Sequence, residues 1–125
     1  MIQQEGPGWR LAKDSSRSNF SIIIGGDRWA IELNSQEWNS LVPIVIELIE
    51  QHQKIKTQLM PEESICLEME KTPWWACLEG DQSSWSMQLI LEGNGSDCRG
   101  FEAYWPIPAA QAIANAMRTM WDSSP

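Results

Sequence analysis

Trp29-Ala30-Ile31-Glu32-Leu33, running straight into Asn34 and a long apolar-periodic stretch from Ser35, has a counterpart late in the chain. There Phe101-Glu102-Ala103-Tyr104-Trp105 runs into Pro106 and a second helical stretch ending near Trp121. Working outward, Gly8-Trp9-Arg10-Leu11-Ala12 and Asn19-Phe20-Ser21-Ile22-Ile23-Ile24 precede the first of these; Trp74-Trp75-Ala76-Cys77-Leu78 and Trp85-Ser86-Met87-Gln88-Leu89-Ile90-Leu91 precede the second. The chain reads one pattern twice, each time as antiparallel-type strands closed by a helix, and an internal repeat of that kind fixes architecture before chemistry. The expected fold class is α+β: three or four strands, a helix, four strands, a helix, with two sheets packed against two helices. One domain over residues 1–125 is expected, internally duplicated at about 1–60 and 61–125.

Local signals agree. Three consecutive isoleucines at 22–24 favour the β-branched packing of a sheet. Gly25-Gly26-Asp27 offers positive φ for a tight hairpin into Arg28–Leu33. Asn34 and Glu37 have the spacing of a capping box. Leu41, Val45, Leu48, His52, Ile55 and Leu59 fall at helical spacing, widened by Trp38, Val42, Ile46 and Ile49. Pro43 removes one intrahelical hydrogen bond, so a kink or a detached first turn is expected there, with the helix ending before Pro61. Residues 64–71 alternate as a half-exposed strand, Thr72-Pro73 turns a corner, and Ile113, Met117, Met120 and Trp121 stripe the last helix.

Bulk properties narrow the function classes. A chain of 125 residues buries roughly two thirds of its unfolded surface without staples. Eight tryptophans supply much of the core. Three cysteines, Cys66, Cys77 and Cys98, lack CxxC spacing and read as buried free thiols, which points to a reducing, cytoplasmic compartment. The N-terminus has no signal-peptide pattern, and no apolar run approaches a membrane span. Net charge is −8; residues 1–34 balance four basic against four acidic groups, so the excess acidity lies beyond them. Such a charge repels phosphate backbones at long range.

Catalytic constellations are missing from the text. His52 is the single histidine, too few for a histidine-built metal site and paired with no nucleophile motif. The glycine clusters lack phosphate-loop spacing, and Glu92–Asp97 lacks the spacing of a calcium loop. No catalytic residue, metal ligand or cofactor is therefore expected. What remains is an aromatic and basic pattern: Arg10, Lys13, Arg17 and Arg28 interleave with Trp9, Phe20 and Trp29. Trp74 and Trp75 are adjacent in one strand, so one ring faces the core and the other faces out, free to stack a base or anchor a partner.

Glu5-Gly6-Pro7-Gly8-Trp9-Arg10-Leu11-Ala12-Lys13-Asp14, Gly25–Leu33 and Glu37-Trp38 resemble the domain-of-unknown-function family 1818, small proteins of cyanobacteria. That family is similar in fold to the Whirly-type single-stranded-DNA-binding regulators, which implies two strand–strand–strand–strand–helix units in tandem. Whirly proteins carry a Lys-Gly-Lys-Ala-Ala-Leu strand for DNA binding and assembly. Nothing here matches it, so the resemblance assigns no functional residue.

The reading is a soluble, non-enzymatic interaction module with a protein partner. The alternative is a single-stranded nucleic-acid binder in which Arg10, Lys13, Arg17 and Arg28 hold phosphates and Trp74 or Trp75 stacks bases. A homodimer through a sheet edge or helix is compatible with both.

Overall fold

In a computed structural model, described over residues 1–93 and 99–122, the chain forms two four-stranded antiparallel sheets and two helices. The first sheet is the meander β1 (Ile2–Gly6), β2 (Trp9–Lys13), β3 (Ile22–Gly25) and β4 (Ala30–Leu33). Helix α1 (Ser35–Ile55) follows, with one 3-10 turn at Lys56–Gln58. The second sheet is the meander β5 (Ile65–Lys71), β6 (Trp74–Gly80), β7 (Trp85–Leu91) and β8 (Phe101–Trp105), before helix α2 (Ala109–Asp122). The α+β repeat expected from the sequence is thus present, as four strands and a helix, twice.

Register explains the burial. Leu11, Ile24 and Ile31 lie side by side across β2–β4, and Leu78, Met87 and Trp105 do the same across β6–β8. Apart from Ile31, which is partly buried against it, both rows belong to one buried cluster that draws residues from both halves of the chain. Helix α1 leaves its own sheet for the other, and α2 bridges both. α1 packs chiefly on β5 and β6, while α2 packs on β1 and β2 as well as on β7 and β8, and the two helices touch.

Two indole N–H groups tie the halves together. Trp74 Nε1 donates to the Glu37 carbonyl at 3.0 Å, and Trp105 Nε1 donates to the Gly25 carbonyl at 2.9 Å. Both rings are fully buried, so each bond satisfies a donor that water cannot reach. The α1 capping box is complete: Glu37 N–H donates to Asn34 at 2.8 Å and Asn34 N–H to Glu37 at 2.9 Å.

Three local expectations need correction. Of the kink or detached first turn expected at Pro43, the detached turn is not present: α1 runs unbroken through Pro43, which is exposed, as is Asn39, whose carbonyl loses its helical donor. Gly25 and Gly26 do not adopt positive φ; among the described residues only Gly8 does, at 79°. Their requirement is space: a Cβ on Gly25 would lie 2.9 Å from the Trp29 carbonyl, and one on Gly26 would collide with the Trp29 indole. Cys66 is exposed rather than buried, whereas Cys77 is buried as expected. Cys98 and most of the Gly93–Asp97 loop lie outside the described residues.

Candidate binding groove

The β1–β2 turn and the β3–β4 turn lie at the same end of the first sheet. The first is Gly6-Pro7-Gly8-Trp9 and the second Gly26-Asp27-Arg28-Trp29. They are built alike. Each begins with a glycine and ends with a tryptophan three residues on, and the indole lies back over that glycine. A Cβ on Gly6 would sit 2.5 Å from Trp9 Nε1, and the Gly26 position is tighter still. Between the turns runs a groove of about 450 Å³ lined by Glu5, Trp9, Arg10, Asp27, Arg28 and Trp29.

Arg10 and Arg28 are exposed, and neither guanidinium has an ion-pair partner among the described residues. The other arginines are engaged. Arg17 pairs with Glu32 at 3.1 Å. Arg99 donates to the Glu32 carbonyl at 2.6 Å and to the Glu37 carboxylate, and it stacks 4.6 Å above the Phe20 ring. It closes a second cavity, of about 530 Å³, where Phe20 and α1 meet the Thr72-Pro73 corner. Its donors are spent on the fold. Those of Arg10 and Arg28 are not.

The basic and aromatic residues singled out from the sequence therefore divide. Arg10 and Arg28 share the groove. Lys13 and Arg17 do not line it: Lys13 closes the far end of β2, opposite Ile2 and Ile22, and Arg17 sits in the following loop. Lys13 also has the strand parity of Trp9 and Leu11, the face opposite Arg10. The four groups do not form a track. Trp74 is fully buried and cannot meet a partner, a correction to its place among the contact candidates; Trp75, half-buried, lies on the outer face of the second sheet.

His52 has a structural post. Its ring is buried, with Nε2 donating to the Asp81 carbonyl at 2.8 Å and its edge toward Trp85. The Ser83 hydroxyl, in the same hollow, donates to the Asp81 carboxylate instead of meeting the imidazole. Hydrogen bonds from the backbone of Ser83 and Ser84 and from the Ser83 hydroxyl hold the Asp81 carboxyl below its usual pKa.

One cluster escaped the sequence reading. Cys66 Sγ and Cys77 Sγ are 2.8 Å apart across β5–β6, and a Glu79 carboxylate oxygen completes a set whose atoms all lie within 4.8 Å of one another. Burial pushes the Cys77 thiol up to about 12, helped by its hydrogen bond with Cys66 and by the charges of Glu68 and Glu79. It stays protonated at neutral pH, so it is no nucleophile as it stands. The signal was present in the register, since these residues sit on one face on either side of the Thr72-Pro73 corner.

Among protein families, the chain matches the one described as a domain of unknown function (DUF1818), over residues 4–120. Among solved structures it is similar to a protein of unknown function from Prochlorococcus sp. NATL2A, described as from the DUF155 family. The two are 53% identical, with a TM-score of 0.91 over 97% of this chain and 99% of that one. No curated protein matches.

Proposed function

The chain belongs to the DUF1818 family, and from that premise we propose that it is a non-enzymatic binding module whose contact surface is the groove between the two Gly-x-x-Trp turns. The observation that carries this reading is the pair of unpartnered guanidiniums, Arg10 and Arg28, set beside two indoles in one concavity. Arginine and tryptophan are the side chains most enriched at interface hot spots, because each combines a large contact area with a directed donor. The partner chemistry that fits is a protein segment presenting one or two carboxylates beside an apolar or aromatic side chain. Glu5 and Asp27 in the same lining oppose a long run of negative charge and favour such a short, mixed segment.

A second reading, single-stranded nucleic acid, draws on the same guanidinium–indole pairing and on the analogy with the Whirly-type order of four strands and a helix, repeated. With two arginines rather than four in the groove, affinity for an oligonucleotide would vary with salt at a log–log slope of roughly −1.4.

The test compares wild-type protein with an Arg10→Ala/Arg28→Ala variant, using Arg118→Ala as a surface-charge control. Stoichiometric affinity capture identifies partners, and tryptophan emission follows added single-stranded oligonucleotide. A protein partner lost by the double variant and kept by the control supports the groove. A partner kept by all three removes it. Quenching by oligonucleotide that disappears in the double variant moves nucleic acid to first place.

A further inference from the structure

The β5–β6 register sets Cys66 opposite Glu79 and Glu68 opposite Cys77. These four side chains form a two-by-two patch on the outer face of the second sheet, with the thiols on one diagonal and the carboxylates on the other. The thiols meet at 2.8 Å, and neither carboxylate has an ion-pair partner among the described residues. We propose that Cys66, Cys77 and Glu79 bind a borderline-soft divalent cation of the Zn²⁺ class, with Glu68 or water as fourth ligand.

The donor set selects the ion. Two sulfurs disfavour Mg²⁺ and Ca²⁺, which take oxygen ligands, and suit Zn²⁺, which accepts sulfur and carboxylate together. Tetrahedral Zn²⁺ with bonds of about 2.3 Å to sulfur and about 2.1 Å to oxygen places the sulfurs about 3.8 Å apart. The thiols must therefore separate by about 1 Å from their present 2.8 Å. Cys66 and Glu79 are exposed and have room to rotate, while Cys77, at 7% exposure, is the fixed post. On binding, each thiol gives its proton to solvent, and two thiolates and a carboxylate meet the dication. A disulfide would use only the two sulfurs, whereas a cation also engages the Glu79 carboxylate. The site lies on the second sheet, so it stands or falls independently of the groove on the first.

The test uses the full chain, reduced with a non-thiol reductant, and Co²⁺ as a spectroscopic stand-in for Zn²⁺. The expected result is a one-to-one complex with a sulfur-to-cobalt charge-transfer band, formed with release of two protons per metal; Zn²⁺ then displaces the cobalt and bleaches the band with no further proton release. Cys66→Ser, at an exposed position that leaves the core intact, abolishes the band. Glu79→Gln weakens binding by about tenfold or more, and Cys98→Ser leaves it unchanged. Circular dichroism confirms that each variant is folded. No band at equimolar metal, or a band that survives Cys66→Ser, overturns the proposal. So does a reduced chain that takes up no metal but oxidises in air with loss of two hydrogens in a Cys66–Cys77 linked peptide, which would assign the pair to thiol–disulfide chemistry.

Discussion

Replacing Trp105 by Phe tests the tie between the two halves where it is most exposed to measurement. The Trp105 ring is fully buried, its Nε1 donates to the Gly25 carbonyl at 2.9 Å, and it packs 5.2 Å from the Trp29 ring at a 48° tilt. Phe keeps the aromatic contact but removes the donor and part of the ring. A buried acceptor left without its partner costs about 1–3 kcal/mol. The space left by the missing ring atoms adds about 1 kcal/mol. The sum is a loss of about 2–4 kcal/mol, a large share of the stability of a domain this size. With an unfolding entropy of about 2.1 cal/mol/K per residue, that corresponds to a fall in Tm of about 8–15 °C. Far-UV circular dichroism under urea and heat is the assay, because the substitution itself alters tryptophan emission. Tyr104→Phe, on the exposed neighbour in β8, is the control and should stay within about 0.5 kcal/mol of wild type. A Trp105→Phe chain that loses less than about 0.5 kcal/mol at unchanged urea dependence would refute the reasoning, since the bond would then contribute nothing beyond what water supplies.

Gly26→Ala drives a methyl into the Trp29 indole. It should cost about 1–3 kcal/mol and shift tryptophan emission toward that of exposed indole, read by fluorescence and urea melts. Asn34→Ala removes half of a complete capping box at α1 and should cost about 1 kcal/mol, measured in the same melts. Asp81 has a folded pKa below its ordinary 3.8, because the backbone N–H groups of Ser83 and Ser84 and the Ser83 hydroxyl favour its charged form. Its stabilisation is therefore fully present above pH 3.8 and lost as pH falls through the lower folded value. Stability profiles of wild type and Asp81→Ala should converge in acid, and a gap that persists below that window would contradict the assignment.

The sequence exposes those features that repeat along one strand or helix. The Ile22–Ile24 run, the alternation of β5 and β7, and the α1 stripe with its Asn34 cap are each self-contained, so their elements can be read without a partner. β1 is not. Ile2-Gln3-Gln4-Glu5 offers one apolar side chain to alternate, and it is a strand because Gly8, at positive φ, folds it back along β2. The groove was half legible for the same reason: the Arg and Trp interleaving is in the text, but the separation of Arg10 and Arg28 from Lys13 and Arg17 depends on which turns share an end of the sheet. The Cys66–Cys77 pair was illegible to a search for closely spaced ligands, because a strand pair joins residues by register across a hairpin. The exchange of sheets by α1, and the bridging of both by α2, leave no trace in either helix, whose stripe says only that one face must be covered.

That exchange bears on how the chain is made. α1 ends at Ile55, whereas the strands it packs against continue to Gly80. At ribosomal speeds of about 5–20 residues per second, the helix waits roughly one to five seconds for its cover. During that interval Leu41, Val45, Leu48 and their neighbours lack the cover that β5 and β6 give them, although they are sealed in the finished molecule. The nascent chain is therefore most vulnerable to capture by chaperones or by its own siblings in the stretch between the end of α1 and the completion of β6.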